Sequence, residues 1–286
     1  MGEHMGLTII DTYPEMMSLI EKMGDTFQKP AWEQYLEDIS SELLLKVTKD
    51  SSDYDYENEI LPVMNLLLGH MEKIEKAHQS FLTIIEDLDI KIMTKTGSAL
   101  QAQLVFYIGL CNGAGWVTTL DGKPTVLLGV EKIIELNWYD KETMTALIYH
   151  ELGHVWHNSV GSLQSKTSTM GEKYIKQLVN EGIAMYFEQL LIEDFNYYHQ
   201  NVNGWLDWCI AHKDELDLEF LRRLKTNSSA QDFFGDWQKY KGQSDLGYFI
   251  GCKFVKWMLE KKPLKMIANM DTENAYKEFQ KYVEER

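Results

Sequence analysis

Apolar residues recur at three- and four-residue spacing through most of the chain, and this helical period gives way to a strand-like pattern in one stretch. "PEMMSLIEKM" (14–23), "WEQYLEDISSELLLKV" (32–47) and "ILPVMNLLLGHMEKIEKAHQSFLTIIEDL" (60–88) read as amphipathic helices. "SSDYDYENE" (51–59) interrupts them with polar, turn-prone residues. "LDIKIMTKT" (88–96) fits either the end of a helix or a strand. From Gln103 the pattern changes. "LVFYIGL" (104–110) is β-branched and aromatic between glycine-bearing segments, which predicts a buried strand. "CNGAG" (111–115) is a turn or bulge, and "WVTTL" (116–120) and "TVLLGV" (125–130) are short strands joined through "DGKP". The helical period then returns. One helix begins with Asp140 as N-cap. A polar loop, "GSLQSKTSTMGE" (161–172), separates it from a second helix, "KYIKQLVNEGIAMYFEQLLIED" (173–194). An irregular aromatic stretch, "FNYYHQNVNGW" (195–205), leads to helices that dominate to the end, including "DLGYFIGCKFVKWMLEKK" (245–262) and "TENAYKEFQKYVEE" (272–285). The prediction is a predominantly helical α+β fold, with a helical N-terminal region (1–98) and a second region (99–286) that carries the small sheet, at about 104–130, and the chemistry.

The 286 residues suffice for one large domain or two small ones. Lys+Arg 28 against Asp+Glu 44 gives a net charge of −16, which disfavours nucleic acid as a partner. The three cysteines, Cys111, Cys209 and Cys252, are widely spaced and form neither a disulfide framework nor a CxxC metal pattern. The start of the chain lacks a basic segment followed by an apolar one, and no apolar run approaches the ~20 residues of a membrane-spanning helix. A soluble, cytoplasmic protein with no membrane partner is expected.

The candidate chemistry lies in "LIYHELGHVWHNSV" (147–160). His150, Glu151 and His154 form HExxH. Residues four apart share one helix face, so the two imidazoles converge on one ion, and Glu151 reaches a water beside it. Met144, Leu147, Ile148, Leu152 and Val155 cover the other faces, so a buried helix with one polar stripe is self-consistent. His157 also falls on this face, but seven residues of helix advance about 10 Å, while zinc–nitrogen bonds span only about 2 Å. His157 is therefore expected to support the ligands or line the cleft. The longer pattern HExxHxxGxxH fails, since His157 and Val160 stand at its glycine and last histidine. A catalytic zinc takes three protein ligands and keeps one position open. "LVNEGIAMYFE" (178–188) offers Glu181 as the third. Gly182 and Ala184 flank it, and Gly153 lies between the two histidines, so two helices can approach closely there. A glycine inside each helix costs about 1 kcal/mol of propensity, which calls for a packing or functional reason.

HELGH followed by a second helix bearing NEGIA resembles the gluzincin branch of zinc metallopeptidases, to which thermolysin and aminopeptidase N belong. The 26 residues between His154 and Glu181 exceed the spacing of those two families. From about 104 to 259 the chain also resembles a poorly characterised intracellular family of predicted zinc-dependent proteases. In that family a strand, a Gly-rich turn and a hairpin precede HExxH, and an EGxA helix and a late GYxxG follow, here "LGYFIG" (246–251). These resemblances imply a zincin-like fold, one zinc ion held by His150, His154 and Glu181, and peptide-bond hydrolysis with Glu151 as general base. They imply a Tyr or His oxyanion donor from the later helices: Tyr248 first, then His199 and Tyr198. Asn180 and Glu188 are candidates to orient the ligands. The resemblance also implies an extended peptide or protein substrate lying along the sheet edge near "NGAGWVT" (112–118). The Gly-x-Met-Glu-Asn segment by which aminopeptidase N relatives hold a free amine is absent. The competing readings are a non-catalytic metal- or peptide-binding protein on the same scaffold, and zinc-dependent hydrolysis of a non-peptide bond.

Overall fold

Leu7–Asp11 forms a strand (β1) that pairs in parallel with Ala102–Tyr107 (β2), register Leu7↔Ala102. The computed structural model describes residues 6–161, 166–235 and 238–285. Within them the architecture is α+β, mostly helical, with one four-stranded sheet. The chain divides into two compact units, Met1–Glu151 and Leu152–Arg286. The division falls inside one continuous helix, so that helix belongs to both.

In the first unit the sheet order is β1-β2-β4-β3, with Gly115–Leu120 as β3 and Lys123–Gly129 as β4. Strand β4 runs parallel to β2 and antiparallel to β3, which leaves β3 at an edge. The β3–β4 hairpin turns at Asp121 and Gly122, both at positive φ, as a two-residue turn between right-twisted strands requires. Between β1 and β2 lie Tyr13–Met23 (α1), Lys29–Ile39 (α2), Ser41–Asp50 (α3), Leu61–Leu68 (α4), Met71–Ile85 (α5) and Leu88–Thr96 (α6). The segment 88–96, which fits helix or strand by pattern, is thus a helix, closed by Gly97 in the left-handed conformation. The central strands are buried over most of their length: Leu104, Val105 and Phe106 of β2 and Val126, Leu127 and Leu128 of β4 are all wholly inaccessible. This explains their near-continuous apolar run. Phe106 stacks on Phe81 of α5 at 5.0 Å. Val130–Glu135 (α7) follows β4 directly.

Lys141–Val160 (α8) is the helix shared by both units. Asp140 caps it as expected, with Oδ1 accepting from the N–H groups of Glu142 (3.0 Å) and Thr143 (3.1 Å). Met170–Ile192 (α9) opens with a capping box in which Thr169 and Glu172 exchange side-chain-to-backbone bonds. Part of the polar loop expected between α8 and α9, residues 162–165, lies outside the described residues. Trp205–Ala211 (α10), Lys213–Lys225 (α11), Leu246–Leu259 (α12), Leu264–Ala268 (α13) and Thr272–Glu284 (α14) complete the second unit. Its core is aromatic, with Phe220, Phe233, Phe249, Phe254, Phe279 and Tyr282 fully buried. Helices α9 and α12 approach until backbone meets backbone. A Cβ at Gly182 would overlap the carbonyl of Gly251, and one at Gly251 would overlap the carbonyl of Leu178.

Candidate metal centre

One helical turn separates His150 from His154 on α8, which places the two imidazoles on one face. Helix α9 brings Glu181 to them. The backbone approach between α8 and α9 depends on Gly153, where a Cβ would lie 2.8 Å from the Cα of Ala184 and 3.0 Å from the Cβ of Phe187. The small residues singled out in the sequence are therefore packing contacts at the point where two helices converge on the candidate ligands.

His150, His154 and Glu181 each present one ligand atom, and the three atoms all lie within 4.8 Å of one another. His154 Nε2 and Glu181 Oε2 are 3.3 Å apart. Charge-assisted N–H···O bonds are typically about 2.7–2.9 Å. Two ligands on a tetrahedral zinc, each bonded at about 2.0–2.1 Å, stand about 3.3 Å apart. The spacing fits two donors arranged around an ion as well as it fits a long ion pair. The donor set is also right for zinc: two imidazoles and one carboxylate, partly to fully buried. His150 and Glu151 are both buried, at 4% and 7% exposure.

Glu151 faces the start of β3. A Cβ on Gly115 would stand 2.8 Å from Glu151 Cγ and 3.0 Å from its Oε1, so only glycine fits there. The Glu151 carboxylate is thereby set against the first residue of an edge strand.

A second group adjoins the first. Glu188, fully buried on α9, accepts a hydrogen bond from His199 Nδ1 at 2.9 Å. One ligand atom each from His150, Glu188 and His199 again falls within 4.8 Å. A buried carboxylate beside imidazoles has the chemistry of a ligand-orienting group. The side-chain amide of Gln200 lies 2.8 Å from His199 Nε2.

Of the three residues weighed as oxyanion donors, two are neighbours. Tyr248, half-buried in the first turn of α12, meets His199 edge-on at 6.4 Å between ring centroids. Tyr198 instead belongs to the core, packed on Trp205 and Phe249 at 5.8 and 5.9 Å, and burial holds its phenol well above the usual range. His157 has a structural partner. Its Nε2 donates to the carbonyl of Ala268 at 3.1 Å, tying α8 to α13, and burial lowers its pKa to about 4. Asn180 is half-buried on α9, directly before Glu181.

One residue escapes the sequence reading altogether. Glu131, in the first turn of α7, is 1% exposed. It accepts the backbone N–H of Gly109 at 2.7 Å and of Cys111 at 3.0 Å. Burial pushes its carboxyl up to about 7, against the opposing effect of those N–H groups and its own. No motif marks it, and the only signal is the pair of glycines, Gly109 and Gly129, that make room for it.

Among the described residues no helix is long and apolar enough to cross a membrane. A family model described as "Predicted Zn-dependent protease (DUF2268)" matches residues 130–278, a span that holds α8, α9 and every candidate ligand. No curated protein and no solved structure matches the chain.

Proposed function

Because the chain belongs to the predicted Zn-dependent protease family DUF2268, we propose that it is a gluzincin-like zinc metallopeptidase that hydrolyses peptide bonds in peptides or flexible protein segments. The observation that carries this reading is the placement of three donors from α8 and α9 within 4.8 Å, with His154 and Glu181 at zinc-ligand spacing. His150, His154 and Glu181 hold one zinc. When bound, zinc supplies Lewis acidity toward the scissile carbonyl and makes water a stronger acid.

The remaining work falls to this chain's side chains. Glu151 Oε accepts the proton of the attacking water and passes it to the leaving amine. Tyr248, with His199 beside it, donates to the oxygen that gains negative charge. Glu188 fixes the orientation of His199 through the 2.9 Å bond. The substrate lies extended along β3, whose outer edge no strand among the described residues covers, and main-chain hydrogen bonds hold it at Gly115 beside Glu151. The site is proposed to work in the cytoplasm.

The test begins with elemental analysis of untagged protein. Near one zinc per chain is expected for the wild type, and a Glu181→Ala variant should lose most of it. Glu151→Gln should keep the metal while peptide cleavage falls about 10²–10⁴-fold, the span of general-base contributions. A wild type that takes up no zinc would end the metallopeptidase reading. Zinc retention with saturable peptide binding and no cleavage would instead make this a binding protein on the same scaffold.

A further inference from the structure

We infer that Glu131 is a positioning residue, and that with the N-terminal helices it fixes the loop 108–114 so that the edge strand starts at the right place against Glu151. This inference rests on the hydrolase reading above for its functional meaning, but its geometry stands alone in the first unit.

Both carboxylate oxygens of Glu131 serve one loop: Oε2 accepts from Gly109 and Oε1 from Cys111. A buried carboxylate that faces main chain is expensive to desolvate, and a neutral side chain would fill the space more cheaply. What the carboxylate offers here is two acceptor oxygens, one for each N–H. The loop is pressed against this carboxylate without slack. A Cβ at Gly109 would stand 2.6 Å from Glu131 Oε1, and one at Gly129 would stand 2.6 Å from the carbonyl oxygen of Gly113. Gly129 N–H donates to the carbonyl of Ala114 at 3.0 Å, which locks the last loop residue to the end of β4. The next residue is Gly115, whose missing side chain makes room for Glu151.

The N-terminal helices hold the same loop from outside. Ile108 receives a bond from the Trp32 indole at its carbonyl (3.0 Å) and gives its N–H to the Tyr35 hydroxyl (3.2 Å), both residues of α2. Asn112 Nδ2 donates to the carbonyl of Val47 at 3.0 Å and to Asp50 Oδ2 at 2.9 Å, at the end of α3. Every fixed point therefore lies within the seven residues before Gly115. A shift of the loop moves the start of β3, and with it the register of a peptide paired to that strand relative to Glu151. This gives the N-terminal helical region a task in the reaction: it sets the substrate's register.

Glu131→Gln isolates the clamp, because the amide keeps one acceptor and turns a donor toward the second N–H. In the full chain with zinc bound, the variant should retain the wild-type zinc content. Hydrogen exchange should quicken about tenfold or more at Gly109, Cys111 and the β4-paired amides of Gly115–Leu120, while exchange in β2 and α5 is unchanged. For peptides long enough to pair along β3, kcat/KM should fall about tenfold. A minimal substrate too short to reach that strand should be cleaved as by the wild type. Asn112→Ala, a half-exposed position, serves if the first variant fails to fold, and should show the same pattern with a smaller change, about threefold. Unchanged exchange at 109–120, a uniform rise through the whole unit, or equal losses on long and short substrates would overturn the inference. If the wild type cleaves no peptide, the hydrolase reading falls by itself, and the exchange comparison still decides whether the clamp exists.

Discussion

At the scale of single residues, Glu131 and the HExxH histidines differ in how they are found. Burial raises the Glu131 pKa to about 7 from 4.5. Between those values the folded chain holds a proton that the unfolded chain releases. Stability from this group is therefore complete below about pH 4.5 and is lost as pH rises toward and past 7. The wild-type stability should fall by about 3 kcal/mol across that window on this account. Asp217, raised by burial to about 8, adds a slope of the same sign. Denaturant unfolding of wild type and Glu131→Gln from pH 4.5 to 7.5 separates the two, since the difference between the proteins reports Glu131 alone. A difference that does not vary with pH would show that the carboxyl is ionised at its ordinary pKa. His150, Glu151 and His154 could be singled out as candidates because HExxH sets residue types at helical spacing, and Glu181 through the likeness of NEGIA; the structure brings one ligand atom each of His150, His154 and Glu181 within 4.8 Å. Glu131 was not, because its partners are backbone N–H groups 20 and 22 residues away, and backbone N–H groups carry no residue-specific mark in a sequence. His157 was legible only as a residue on the right face. That its partner would be the carbonyl of Ala268, 111 residues on, depends on tertiary packing.

At the scale of elements, the long helices α8 and α9 were readable from their period, α8 also from its Asp140 cap. The hairpin β3–β4 was readable from the turn residues of DGKP, of which only Asp121 and Gly122 form the turn. Helix α9 starts at Met170, three residues before the expected 173, because Thr169 and Glu172 cap it there. Strand β1 was not. It has five residues, and its partner β2 follows only after six helices, so nothing local to Leu7–Asp11 announces the parallel pairing. Gly153 and Gly182 stood out in the sequence for their helix cost, Gly251 only as part of GYxxG, and the structure shows the use of all three. Gly182 and Gly251 let α9 and α12 meet at backbone distance. Gly182→Ala and Gly251→Ala should each destabilise by about 1–3 kcal/mol, since the added methyl forces backbone apart. The pair should be less than additive, because both methyls open the same contact. Gly69→Ala is the control: its nearest atom beyond its chain neighbours is 3.7 Å away, and its effect should be within about 0.5 kcal/mol. Thermal unfolding of the four variants checks this. A neutral Gly182→Ala would mean that the helices can separate freely, and the close approach would then not be what positions Glu181, one residue earlier.

At the scale of the whole molecule, metal binding should appear as stability. An ion that binds the folded chain and not the unfolded one stabilises it by about 4 kcal/mol at a thousand times its dissociation constant. For a chain of this size about 2–4 °C accompany each kcal/mol. Chelation of the zinc-loaded protein should therefore lower its unfolding temperature by roughly 8–16 °C under those conditions, and should leave Glu181→Ala almost unmoved. The comparison needs constant ionic strength. A chain with net charge −16 gains stability from salt screening alone, and a charged chelator supplies salt. The pH dependence gives a further handle. Imidazole ligands must be neutral to bind, so the metal-dependent part of the stability should shrink at acid pH. The Glu131 contribution grows over the same range, so the zinc-free protein should lose less stability, or even gain some, where the zinc-loaded protein loses most. Unfolding curves of the two forms that converge near pH 5 and separate toward pH 7.5 would fit a two-histidine site. Curves that stay parallel across that range would mean that the bound ion is held by carboxylates, of which this acidic chain has many, and that His150 and His154 do not ligate it.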